Sequence, residues 1–142
     1  MIHVSQRTEN DCGIATAAMI GGISYHAATA VISKFSFQKE ALHAGQMKKV
    51  LEAITQTRWR LSWTCWIPKV SRFCLLDEPG ALILQGDGCH HWIAITRHNV
   101  HDPALAGPVA FDQYVMSNRK VLAFLSPCWQ SLLRQCNQHG VC

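Results

Sequence analysis

Cys12 stands between Asp11 and Gly13, and the run behind it, Ile14–Ile20, is apolar and helix-forming until Gly21 and Gly22 end it. A thiol at that place sits at the positive end of a helix dipole, which favours an anion. The thiolate is the nucleophilic form of cysteine, so the placement suits covalent chemistry. Asn10 and Asp11 are both good N-cap residues, and either can start the helix. Gly13, having no side chain, is expected to let a substrate backbone come close. Asp11 is taken as a further substrate contact beside the thiol. Free cysteines more often serve as small buried apolar groups. The polar approach Gln6–Asp11 argues against a wholly apolar pocket here.

A nucleophilic thiol needs a base, and the base needs a partner that holds its ring. Ala81–Leu84 and Trp92–Ile95 read as two short strands, with turn chemistry at Gln85-Gly86-Asp87-Gly88 between them. His91 opens the second strand, where a side chain can face a cleft. Its neighbour His90 points the other way if the strand is already extended, so only one of the two can serve, and His91 is the choice. A hairpin partner after Thr96-Arg97-His98 carries Asp102, whose carboxylate can orient the imidazole and stabilise its protonated form. Gln6 supplies a side-chain amide just before the thiol. With the Cys12 N–H it can donate to a developing oxyanion. Trp92, beside His91, is expected to line the cleft.

These residues together resemble the C39 peptidases, a papain-like cysteine peptidase family. The match rests on Gln6, on Asp11-Cys12-Gly13 with Ala15 and Ala18-Met19, on His91 before an apolar strand, and on Asp102-Pro103 with Gly107. His43-Ala44-Gly45-Gln46 is similar to the start of the family's second helix. The resemblance covers about residues 1–125 and implies an oxyanion glutamine, a nucleophile, a base and an orienting acid at Gln6, Cys12, His91 and Asp102. It implies a peptide or isopeptide bond as target, with cleavage after Gly-Gly as the family's habit, and needs no cofactor and no metal. The same triad order also serves glutamine deamidases and acyltransferases, and a fold can outlive its chemistry as a peptide-binding module.

The elements that must position these groups read as α+β, a papain-like arrangement with the nucleophile's helix packed on a small antiparallel sheet. Tyr25–Ser33 and Ala44–Thr55 carry helical periodicity. Trp59–Trp66 alternates as a strand with Trp59, Leu61 and Trp63 on one face, ended by Pro68. Lys69–Leu76 is expected as a short helix, Val109–Tyr114 as a further element and Val121–Leu125 as a last strand. Pro127–Gln135 is expected as a helix in a C-terminal extension over 127–142. Cys128, Cys136, His139 and Cys142 lack the spacing of a zinc finger and are read as incidental.

Length and composition agree with one domain over 1–142. Hydrophobic residues make up 49% and charged residues 15%, a balance that supports a core and excludes a disordered tail. The net charge of +4 is scattered, without a basic stripe or motif, so a polypeptide substrate is expected and nucleic acid is not. No signal peptide is expected from Met1–Ser5, and no apolar run comes near the ~20 residues that span a bilayer. The expected place is therefore the cytoplasm, with export by a dedicated secretion machine as the exception, and the cysteines are expected reduced. Composition leaves the oligomeric state open.

Overall fold

A computed structural model describes residues 1–38, 42–64, 69–75, 79–86 and 90–128. Three helices come first: α1 (Cys12–Gly21), α2 (Tyr25–Lys34) and α3 (Ala44–Thr55). Six strands follow: β1 (Trp59–Trp63), β2 (Gly80–Leu84), β3 (His91–Ile95), β4 (Asn99–His101), β5 (Val109–Ala110) and β6 (Val121–Pro127). A 3-10 helix, Val70–Leu75, lies between β1 and β2.

α1 is buried on all sides from Cys12 to Met19, as an apolar helix without a polar face must be. It packs against β3, α2 and α3. Gly22, in the left-handed conformation, closes it by donating to the Ala18 and Met19 carbonyls. Ser24 caps α2 by accepting from the Ala27 N–H at 3.1 Å. At the start of α3 the Gln46 side chain accepts from the His43 N–H at 2.9 Å. That is the local reason for the His43–Gln46 spacing.

The strands form one antiparallel sheet in the order β1-β6-β2-β3-β4-β5. Both faces of its centre are covered, so β2 and β3 read as continuous apolar runs. Ala81, Ile83, Trp92, Ala123 and Leu125 join the core under the helices. Leu82, Leu84, Ile93 and Ile95 alternate to the other face and pack with Val100, Phe111, Tyr114 and Val121. Among the described residues no single helix is long and apolar enough to cross a membrane.

One expectation holds and one is corrected. Trp59, Leu61 and Trp63 share one face of β1, with Trp63 65% exposed at the end of this edge strand. Pro127 does not open a helix: it ends β6, paired with Trp59 alone, where a missing N–H breaks only one ladder. Cys65, Trp66, Pro68, Leu76, Asp87, Gly88 and the expected helix and cysteines beyond Cys128 lie outside the described residues.

Candidate active site

The β3–β4 hairpin sets the first pair. Ala94 lies opposite His101 and Ile95 opposite Val100. Continued by one residue, that register sets Asp102 opposite Ile93, on the same face as His91 two residues along β3. Diagonal neighbours of this kind are within side-chain reach. His91 Nε2 and Asp102 Oδ1 are 2.7 Å apart. Asp102 is completely buried, and all its contacts are donors: the Ala104 N–H reaches Oδ1 at 2.9 Å, and the Tyr114 hydroxyl reaches Oδ2 at 2.7 Å. The Asp-Pro turn therefore caps itself and presents the carboxylate to the imidazole together.

α1 brings Cys12 into the cleft that His91 also lines, and the thiol acts on the imidazole together with Asp102. The Trp92 backbone N–H also donates to Cys12 Sγ, at 3.4 Å. Burial alone would lower the basicity of His91. Hydrogen bonding and charge from Asp102 and Cys12 outweigh it and push the imidazole up to about 9. Burial likewise raises the Asp102 carboxyl, but the His91 and Tyr114 bonds hold it below its ordinary value. Burial and the Asp102 charge push the Tyr114 hydroxyl far up, so it stays a donor.

Cys12, His91 and Trp92 line a cleft of about 390 Å³. Leu42, Ile83 and Trp92 make its apolar wall; Glu9, Asn10, His43 and His90 form a polar, exposed rim. His90, facing this rim, has no part in the Asp102 contact. The Trp92 indole N–H holds the Leu42 carbonyl at 2.7 Å and so fixes one wall.

Gln6 lines a second cavity, which His91 also borders. Its backbone N–H donates to the Pro103 carbonyl at 2.9 Å, tying the N-terminal segment to the Asp102 turn. Its side-chain oxygen is buried with no partner.

Of the expected substrate contacts, Gly13 lines the cleft beside Cys12, and Asp11 is not among its lining residues. Asp11 is 3% exposed, and its carboxylate accepts from the Arg7 and Thr8 N–H groups and the Tyr25 hydroxyl. It braces the loop before Cys12 from within, and its side chain makes no helix cap. The space over Gly13 is filled by the chain itself: an added Cβ would lie 3.2 Å from Leu42 and 3.3 Å from Trp92. Gly13 admits these two side chains, and through them shapes the cleft.

Sequence reasoning did not find Tyr114 or the Trp92 N–H. Tyr114 reaches Asp102 from a loop, with no periodic spacing to announce it, and a backbone donor carries no residue signature. Among the described residues no group of three or more His, Cys, Asp or Glu side chains is set to hold a metal.

No family model and no curated protein matches the sequence. Among solved structures, the chain is similar to one from Bacillus anthracis assigned as a C39-like peptidase, with a TM-score of 0.54 and 9% identity. The likeness covers 89% of this chain and 93% of that one. At that identity it shows a shared fold, α+β with helices packed on an antiparallel sheet.

Proposed function

We propose that this chain is a cysteine peptidase that hydrolyses a peptide or isopeptide bond through Cys12, His91 and Asp102, with Gln6 at the oxyanion. The observation that carries the reading is the His91 ring, bonded at 2.7 Å to a fully buried Asp102 and lining one cleft with Cys12.

His91 takes the thiol proton and becomes imidazolium. The Cys12 sulfur attacks the acyl carbon, and the carbonyl oxygen gains the negative charge. Cys12 opens α1, so its N–H has no helical carbonyl to bond and is available to that oxygen. The Gln6 amide is the second donor. His91 then gives its proton to the leaving amine, the C–N bond breaks, and a thioester remains on Cys12. Water, losing a proton to His91, releases the acid and restores the thiol. Asp102 orients His91 throughout, and Tyr114 and the Ala104 N–H orient Asp102. The chain's own residues suffice for each step.

The test is a peptide mixture incubated with the protein and with Cys12→Ala, read by mass spectrometry. New peptide termini that need Cys12 are expected. Conversion of glutamine to glutamate without new termini would replace the peptidase by a deamidase, and no Cys12-dependent product would defeat both.

A further inference from the structure

Asp11 directly precedes Cys12, yet its acid is turned away from the helix that Cys12 opens. It occupies the N-cap position of α1, where an Asp side chain ordinarily accepts from the second or third N–H of the helix. Here it makes no such bond, and its backbone is not in the extended conformation of a capping residue. The carboxylate is held by the loop and by α2 instead. Both oxygens accept from the Arg7 N–H at 3.1 Å, and Oδ1 also takes the Thr8 N–H at 3.2 Å. Oδ2 takes the Tyr25 hydroxyl at 2.5 Å. This matters because the positive end of α1 has other uses. An acid seated on it would repel a thiolate and an oxyanion alike, and would take up N–H donors that the oxyanion needs.

We propose that Tyr25 is a positioning residue for Cys12: its hydroxyl holds the Asp11 carboxylate off the start of α1 and leaves that helix end to the sulfur and the substrate oxygen. The proposal rests on Cys12 as the nucleophile and deepens that reading. Tyr25 is the first residue of α2, which packs against α1, so its place is set by a helix and not by the loop it holds. Burial pushes its hydroxyl up to about 12, with the bond to Asp11 and the Asp11 charge adding to it, so it stays a donor. The Arg7 guanidinium lies over the Tyr25 ring, 4.2 Å from its centre. Arg7 thus gives Asp11 a backbone N–H and lays its cation on the ring that gives Asp11 an O–H.

A brace that only kept the loop folded would act through its bonds, and each bond lost would add to the damage. A charge held off the helix acts as a charge, and neutralising it repairs the damage. The test reads that difference by its sign. Wild type, Tyr25→Phe, Asp11→Asn and the double variant Tyr25→Phe/Asp11→Asn are labelled with limiting iodoacetamide at one pH. The rate at Cys12 is followed by mass spectrometry, with Cys74 as the control for unfolding. The other titratable groups around the thiol, Glu9, His43, His90 and His91, are the same in all four proteins. Tyr25→Phe should slow Cys12 by about fivefold, the size of one charge at a helix end. The double variant should return to the wild-type rate, and Asp11→Asn alone should be no slower than wild type. An unchanged rate in Tyr25→Phe, or a double variant slower than Tyr25→Phe, overturns the proposal. If Tyr25→Phe unfolds, Asp11→Asn alone decides: slower labelling than wild type overturns it. For a cleaved peptide, the same order should appear in kcat with KM unchanged, because the helix end meets the oxygen only as charge develops. The labelling order without any cleavage keeps the role of Tyr25 and removes the peptidase reading. Cleavage without the labelling order overturns the role of Tyr25 and leaves the peptidase standing.

Discussion

At the scale of single residues, His91 is held between a buried acid and a thiol, and each pull on it has a measurable consequence. Its imidazolium persists up to about 9, which burial alone would not allow. Turnover that uses this proton should fall as pH rises through about 9. In Asp102→Asn the acid's charge is gone, and the same limb should move down towards the ordinary histidine range. The rate should drop by about 10²–10⁴-fold, since the amide favours the wrong tautomer while the shape survives. An alkaline limb that does not move would show that Asp102 does not set the His91 charge. Tyr114→Phe takes the donor from Asp102 Oδ2, a buried carboxylate oxygen. It should cost about 1–3 kcal/mol in urea unfolding, with a smaller loss of rate than Asp102→Asn. The thiol itself has a direct readout. Limited iodoacetamide near pH 6 should label Cys12 before Cys74 and Cys128, since among the described cysteines it is Cys12 that lines the cleft with His91. Earlier labelling of Cys74 would remove Cys12 as nucleophile.

At the scale of elements, the constraint is how closely α1 sits against its neighbours. Gly21, the last residue of α1, meets α3: an added Cβ would lie 2.2 Å from Ile54 Cγ2. Alanine is the better helix former by about 1 kcal/mol, but that contact is impossible without a shift, and overpacking costs about 1–3 kcal/mol. Gly21→Ala should therefore lower the urea midpoint; a raised midpoint would mean that Ile54 turns aside freely. The helices and central strands were legible because their signals are local. Ala44–Thr55 is read within its own twelve residues, and the Gly21-Gly22 stop is visible beside the helix it ends. What is not local was not legible. Alternation in β1 told which side chains share a face, but not that the sheet ends there and leaves Trp63 bare. Asp102 could be linked to His91 because one hairpin joins them. Tyr114, which reaches the same carboxylate from a loop beyond β5, could not. Asp11 misled because an acid beside a nucleophile looks like a site residue whether it faces the cleft or, as here, the loop behind it.

At the scale of the whole molecule, the candidate site joins two cores. Cys12 and Trp92 belong to the core under the helices; Tyr114 belongs to the one on the opposite face, and His91 spans the gap at the end of β3. That arrangement makes stability depend on pH from both sides. His101, next to Asp102, is 4% exposed, and its Nδ1 is buried without a partner. Burial, with the positive amino group of residue 1 and His3 nearby, pushes it down to about 4. A histidine depressed in the fold takes up its proton more readily in the unfolded chain, so acid favours unfolding. Between pH 6.5 and about 4 this should remove about 3 kcal/mol. His91 has the opposite sign: raised to about 9, it stabilises fully below 6.5, and that contribution is lost as pH rises through 9. Asp102, depressed, adds a further loss only at the acid extreme, below its ordinary 3.8. The two histidine limbs meet near pH 6.5, where stability should peak. Urea unfolding from pH 4 to 9 tests this with one variant for each limb. His101→Gln, which cannot take up a proton, should flatten the acid side and leave the alkaline side. Asp102→Asn, which removes the partner that raises His91, should flatten the alkaline side and leave the His101 slope. An acid slope that survives in His101→Gln would place the cost of burial on some other group, and the two-core account of the pH profile would fall with it.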